Sequence, residues 1–224
     1  MALSNKSVAP SAAADRSELR RRQQPPRRFL LRLPVADGED SNMSAVTSGR
    51  FMYFAFGSNL LKERLQMSNP SATFYATGRL KDYELTFGLW GQHVENAWHG
   101  GVATIKFSPG SDVWGVIWTL KNEHLTSLDN QEGVSKGIYA RLEVSVDTDK
   151  GPVPCKTYQL INFHASPPSP QYKQVVCLGA EQNHLPAEYL RKLEVIQTNN
   201  YNGPSILDQI QTSMKLTVRR TEDF

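Results

Sequence analysis

Two places in the 224-residue chain carry residue types from which a proton-transfer site can be built: Glu132, and the stretch Tyr53-Phe54-Ala55-Phe56-Gly57-Ser58-Asn59-Leu60. Tyr53 to Phe56 are apolar or aromatic and read as a buried strand. They run into the turn-type tripeptide Gly57-Ser58-Asn59 and then into Leu60-Leu61-Lys62-Glu63-Arg64-Leu65, which has helical spacing. A strand that breaks at a glycine and enters a helix leaves backbone N–H groups unpaired at the positive end of the helix dipole, where a carboxylate or phosphate can bind. Gly57 admits a ligand close to the backbone, and Ser58 and Asn59 add side-chain donors or caps. Such junctions are common and most bind nothing, so this one needs a partner to become a site.

Glu132 is the candidate partner. It sits in a short polar loop after a helix, flanked by Gly133, between the apolar anchors Leu128 and Val134. A carboxylate carried on such a turn can be partly buried, which raises its pKa toward the range of a general base; the plain alternative is a solvated loop glutamate. The neighbouring Asp129 reads as a cap or turn residue. Ser58 lacks the G-x-S-x-G elbow of a nucleophile. His93, His99, His124, His164 and His184 show no metal-type spacing, so no metal is expected. No Walker A or G-x-G-x-x-G pattern surrounds Gly57, and no cofactor is expected. His99, before two glycines, reads as a loop residue or an orienting group. Tyr172 reads as a core-edge aromatic or as a hydroxyl lid on a pocket.

The elements that must position these residues follow from period and punctuation. Helix 60–67 stops at Ser68-Asn69-Pro70. Phe74 to Thr77 and Arg79 to Phe87 read as two strands, followed by a polar loop over 88–97. Val102 to Phe107 is a third strand, Ser108-Pro109-Gly110-Ser111 a turn, and Val113 to Leu120 a central strand buried on both faces, with Gly115 marking close backbone approach or a bulge. Asn122 caps a short helix with Leu125 and Leu128 on its face and Gly133 beyond its end. Tyr139 to Val146 and Lys156 to Phe163 form alternating strands joined by the turn around Asp149-Lys150-Gly151. Ser166-Pro167-Pro168-Ser169-Pro170 is a rigid connector. Gln171 to Leu178 and Pro186 to Ile196 are amphipathic helices, and Leu207, Ile210 and Met214 line a last one. Strands first and helices collected at the end give an α+β chain.

Charge divides the chain. Residues 1–50 hold one Lys and eight Arg against five acids, leaving sixteen basic and seventeen acidic residues beyond. The basic character therefore belongs to an Ala-, Ser-, Pro- and Arg-rich extension that cannot bury a face, and the near-neutral remainder argues against nucleic-acid binding. The extension reads as a solvated tail, a basic patch or a mitochondrial targeting segment, although Asp15, Glu18 and Pro25-Pro26 interrupt the last pattern. Met43 is a possible alternative start. No apolar run approaches the length of a membrane span. Cys155 and Cys177 are too few for a disulfide framework and read as buried thiols in a reducing compartment. The expected organisation is an extension over 1–50, a catalytic domain over 51–215 and a tail over 216–224.

Tyr53 to Leu60, Trp98-His99-Gly100-Gly101, Val113-Trp114-Gly115-Val116, Leu128-Asp129-Asn130-Gln131-Glu132-Gly133 and Ser166-Pro167-Pro168-Ser169-Pro170-Gln171-Tyr172-Lys173 together resemble the γ-glutamylcyclotransferases, in order over about 51–200. The resemblance implies a small mixed β-barrel with flanking helices, commonly as a homodimer; the expected compartment is the cytoplasm, with the mitochondrion, through the Arg-rich extension, as the alternative. The resemblance also implies conversion of a small γ-glutamyl peptide to 5-oxoproline and the free amino acid, without metal or cofactor. Glu132 matches the catalytic carboxylate, Tyr53, Phe54, Ala55, Phe56, Gly57, Ser58 and Asn59 the substrate-binding loop, and Tyr172 a substrate-contacting tyrosine. One departure stands out: the family's loop reads Tyr-Gly-Ser-Asn, and Phe56 occupies the tyrosine's place. Relatives acting on γ-glutamyl amines or on glutathione, and a non-catalytic γ-glutamyl-binding protein on the same scaffold, are the alternatives; Asn59 argues against the glutathione-specific pattern.

Overall fold

The computed structural model describes residues 49–91 and 96–212, all within the unit Ala45–Phe224. The Arg-rich extension through residue 48, Met43, His93, Met214 and the tail 216–224 lie outside the described residues.

The main elements follow in order: β1 (Arg50–Ala55), α1 (Lys62–Gln66), β2 (Thr73–Trp90), β3 (Val102–Lys121), α2 (Leu125–Glu132), β4 (Tyr139–Thr148), β5 (Gly151–Leu160), β6 (Phe163–Ala165), α3 (Pro170–Gln182) and α4 (Ala187–Glu194), and residues 207–212 are helical at the end of the described chain. The strands are ordered β3-β1-β5-β4-β2-β6, and a further β2–β3 pairing closes the first five into a barrel. β1 runs parallel to β5 and antiparallel to β3, and the other pairings are antiparallel, so the barrel is mixed. β1 is buried at Tyr53, Phe54 and Ala55, as its unbroken apolar run requires. Thr157 Oγ donates to Phe54 O at 2.8 Å and ties β5 to it. Among the described residues no helix is long and apolar enough to cross a membrane.

Two pairs of expected strands are each one strand. Phe74–Thr77 and Arg79–Phe87 merge into β2, which continues to Trp90 through the first three residues of the expected loop, and Val102–Phe107 and Val113–Leu120 merge into β3. Ser108-Pro109-Gly110-Ser111 does not reverse the chain. The register passes from Lys81↔Asp112 to Tyr83↔Phe107, so four residues of β3 bulge opposite Asp82 alone. Asp82 takes a positive φ of 61° and accepts the Gly110 N–H at 2.9 Å, which satisfies the bulge locally. Gly115 answers to close approach: a Cβ there would lie 2.3 Å from Ala55 O and 2.7 Å from the Phe54 ring.

The expected helix over 60–67 is also revised. A three-residue 3₁₀ turn, Ser58–Leu60, is followed by an extended Leu61, and only then by the five residues of α1. The junction therefore offers a loop of N–H groups rather than the end of a long helix dipole. Asn122 opens another 3₁₀ turn, Asn122–His124, and caps no helix through its side chain. At the far end Ser169 caps α3, its Oγ accepting the Tyr172 N–H at 3.1 Å with Pro170 in the first turn. Gly179 then lets α3 lie against Leu60 and Leu61: a Cβ there would sit 2.4 Å from Leu61 N.

Candidate active site

The Gly57 loop and the end of α2 face each other across one cavity of about 330 Å³. Tyr53, Phe56, Gly57, Ser58, Asn59, Glu132 and Tyr172 all line it. Phe54 and Ala55 do not. Strand alternation turns Phe54 under Gly115, and both residues are sealed in the core. Phe56 is 6% exposed, with its ring centroid 6.3 Å from that of Phe54.

Glu132 sits on the last residue of α2, not in a loop, and Gly133 ends the helix in the left-handed conformation at φ 65°. Rigid backbone thus sets where its carboxylate points. Asn59 Nδ2 donates to Glu132 Oε1 at 3.1 Å and to the Tyr53 hydroxyl at 2.9 Å, while Asn59 Oδ1 accepts from Gln131 Nε2 at 3.0 Å. Gln131 Nε2 also reaches Glu132 Oε1 at 3.3 Å, and its own Oε1 accepts from Asn69. The Trp118 indole N–H donates to Asn59 O at 3.0 Å, fixing the hub from below. Loss of hydration raises Glu132 from its ordinary 4.5 to about 7, against the opposing pull of the Arg64 charge and the two amide donors.

The neighbouring phenols stay protonated. Burial raises Tyr53 and Tyr139, and the Glu132 charge adds to the shift in both. Tyr172 is 3% exposed; its hydroxyl accepts the Ala103 N–H at 3.0 Å and meets Ser58, so it is a wall and not a lid. Trp98 packs edge-on against it at 4.9 Å. At Gly57 a Cβ would lie 2.9 Å from Ala103 Cβ and 3.1 Å from the Tyr172 hydroxyl, so glycine keeps the loop against this wall. The N–H groups of Ser58 and Asn59 precede the first bond of the 3₁₀ turn, Leu60 N–H to Gly57 O, so neither has a partner within the turn, and the Ser58 N–H reaches the Tyr172 hydroxyl. Asp129 accepts from the Tyr158 hydroxyl at 2.8 Å and pairs with Arg141 at 3.4 Å, a structural role. His99 stacks on Tyr201 at 4.3 Å. Among the described residues no three His, Cys, Asp or Glu are grouped to hold a metal.

Sequence reasoning missed Arg64, Lys136, Tyr139 and Tyr158 as cavity residues. Arg64 had a signal: it follows the Gly57 loop within one helical segment, and an anionic ligand at that loop calls for a cation. Tyr139 and Tyr158 look like ordinary strand aromatics, and only barrel closure turns them inward.

A model of the AIG2-like family matches residues 112–193. The chain is 49% identical to the bovine γ-glutamylcyclotransferase and 47% identical to the human one, in each case over 166 residues that make up 74% of this chain and 88% of the relative. A solved structure of a γ-glutamyl cyclotransferase superposes with a TM-score of 0.70 at 47% identity, covering 73% of this chain and 99% of its own. The mixed barrel, its flanking helices and this extent of identity together show that the chain belongs to the γ-glutamylcyclotransferase family.

Proposed function

We propose that the chain converts γ-glutamyl amino acids to 5-oxoproline and the free amino acid, with Glu132 as the group that moves the protons. The observation that carries this reading is a carboxylate raised to about 7 that shares one cavity with the Gly57-Ser58-Asn59 donors. An α-amino group titrates at roughly 8, so proton transfer between it and Glu132 is close to balanced. Glu132 takes a proton from the substrate's α-ammonium. The freed amine attacks the γ-carbonyl carbon of the same molecule, and the C–N bond to the leaving amino acid breaks as the five-membered lactam forms. Over the cycle the ammonium gives up two protons and the departing nitrogen gains two, so one carboxylate serves as base and then as acid. Cavity walls that hold the folded conformer supply the orientation that ring closure needs. The Ser58 and Asn59 N–H groups are the donors for the oxyanion, and Tyr53, Phe56, Gly57 and Tyr172 enclose the glutamyl chain.

The same reading assigns the enzyme to glutathione and γ-glutamyl metabolism in the cytoplasm, as a homodimer. Two free thiols, Cys155 and Cys177, support a reducing compartment, and exposed Phe74, Tyr75 and Phe107 support a pairing surface. The test is incubation of the purified protein with γ-glutamyl-alanine. Equal release of 5-oxoproline and alanine is expected; binding of the peptide without release would instead make the chain a γ-glutamyl-binding protein.

A further inference from the structure

We infer that Arg64 binds the carboxylate of the amino acid that the reaction releases, and so selects γ-glutamyl amino acids over γ-glutamyl amines. This rests on the proposed reaction and adds a subsite to it. Arg64 lines the cavity from α1, with its guanidinium carbon 5.9 Å from the centroid of the Trp98 ring. Its Nε is buried and has no hydrogen-bond partner. Among the described residues no carboxylate lies within ion-pair distance of it, although six other cations are paired. A half-buried guanidinium that lines the cavity with no ion-pair partner, Glu132 included, is held ready for a planar, two-oxygen acceptor, and a carboxylate fits that fork.

A γ-glutamyl amino acid brings two carboxylates, and the geometry separates them. The α-carboxylate shares a carbon with the ammonium that Glu132 deprotonates. It must therefore lie beside Glu132 and the Ser58–Asn59 loop, whose Asn59 amide touches the Glu132 carboxylate at 3.1 Å. Arg64 and Glu132 line the same cavity without forming an ion pair. A guanidinium set apart from Glu132 in this way suits the second carboxylate, which hangs from the far side of the scissile amide. The other cavity cation, Lys136, stands exposed outside this arrangement. A γ-glutamyl amine offers Arg64 nothing and leaves its charge unpaired on closure of the site, the kind of loss that discriminates strongly between substrates.

The experiment compares γ-glutamyl-alanine with γ-glutamyl-ethylamide, which lacks the second carboxylate. In wild-type protein kcat/KM should favour the alanine substrate by roughly 30- to 100-fold, the worth of a charged hydrogen-bonded contact. Arg64→Gln should bring the ratio of the two substrates' kcat/KM to within about threefold of one; its effect on the ionisation of Glu132 falls on both substrates alike and cancels from that ratio. Arg64→Lys, which keeps the charge and guards against a folding defect in the first variant, should fall between. Equal losses on both substrates, or a preference abolished by Lys136→Gln instead, would overturn the assignment. Calorimetry in the Glu132→Gln background reads the same preference without turnover. A binding preference that Arg64→Gln removes, in a protein whose wild type releases no 5-oxoproline, would sink the reaction and leave the subsite; turnover with no preference would sink the subsite alone.

Discussion

At the scale of single residues, the proposed chemistry depends on Asn59 as much as on Glu132. Its side-chain amide spends both ends in the site, donating to Glu132 and Tyr53 and accepting from Gln131. A donor aimed at a carboxylate favours the charged form, so this contact restrains a pKa that burial has already lifted to about 7. The base must be ionised to act, and kcat/KM should therefore rise with pH through about 7 in the wild type. Asn59→Ala should move that rising limb to higher pH, with most of the lost activity recovered in alkaline buffer. An unmoved limb would show that Asn59 holds the loop and not the proton. Stability follows the opposite sense. The folded chain binds the Glu132 proton more tightly than the unfolded chain, so the stabilisation is complete below pH 4.5 and gone above about 7. Glu132→Gln stays neutral throughout; it should match wild type near pH 4 and be more stable by on the order of 2–3 kcal/mol at pH 8, as denaturant titration would measure.

Elements matter through their ends. Glu132 is placed by the final turn of α2, and that turn closes only because Gly133 accepts φ 65° beside Ile138, whose Cδ1 would lie 2.9 Å from an added Cβ. Gly133→Ala should cost about 1–2 kcal/mol of stability and lower kcat more than KM, because the carboxylate shifts while the Gly57 wall stays. An unchanged kcat would mean that the helix end tolerates displacement. This segment was legible in the sequence: a lone glutamate before a glycine, between apolar anchors, is a local pattern. Its helical setting was less so, since five polar residues conceal an amphipathic turn. The strands were harder. Ser108-Pro109-Gly110-Ser111 has the composition of a chain reversal, and only pairing with Asp82 makes it a bulge. Phe54 and Ala55 belong to β1, as their apolar run implied; the resemblance alone counted them with the substrate-binding loop, and packing under Gly115 takes them out of the cavity. Tyr139 and Tyr158 gave no sign of their place in the cavity, because long-range closure, not local pattern, brings them there.

For the whole molecule, barrel closure is what makes a site from residues 57 and 132. β1 supplies the loop and α2 the carboxylate. Trp118 on β3 ties the two layers through its bond to Asn59 O. Tyr172 on α3 completes the wall through Ala103 N–H. Every one of these contacts lies within Ala45–Phe224. Because these contacts are complete within that unit, a chain lacking residues 1–44 should keep its melting temperature within a few degrees and kcat within about twofold; a large drop in either would give the extension a part in the enzyme. The central claim, that Glu132 moves the protons, is tested most directly by 5-oxoproline release from γ-glutamyl-alanine by Glu132→Gln at saturating substrate. A fall in kcat of at least about 1,000-fold is expected, in the range of a lost acid–base group, in a protein that still binds the peptide. A kcat within tenfold of wild type would contradict it.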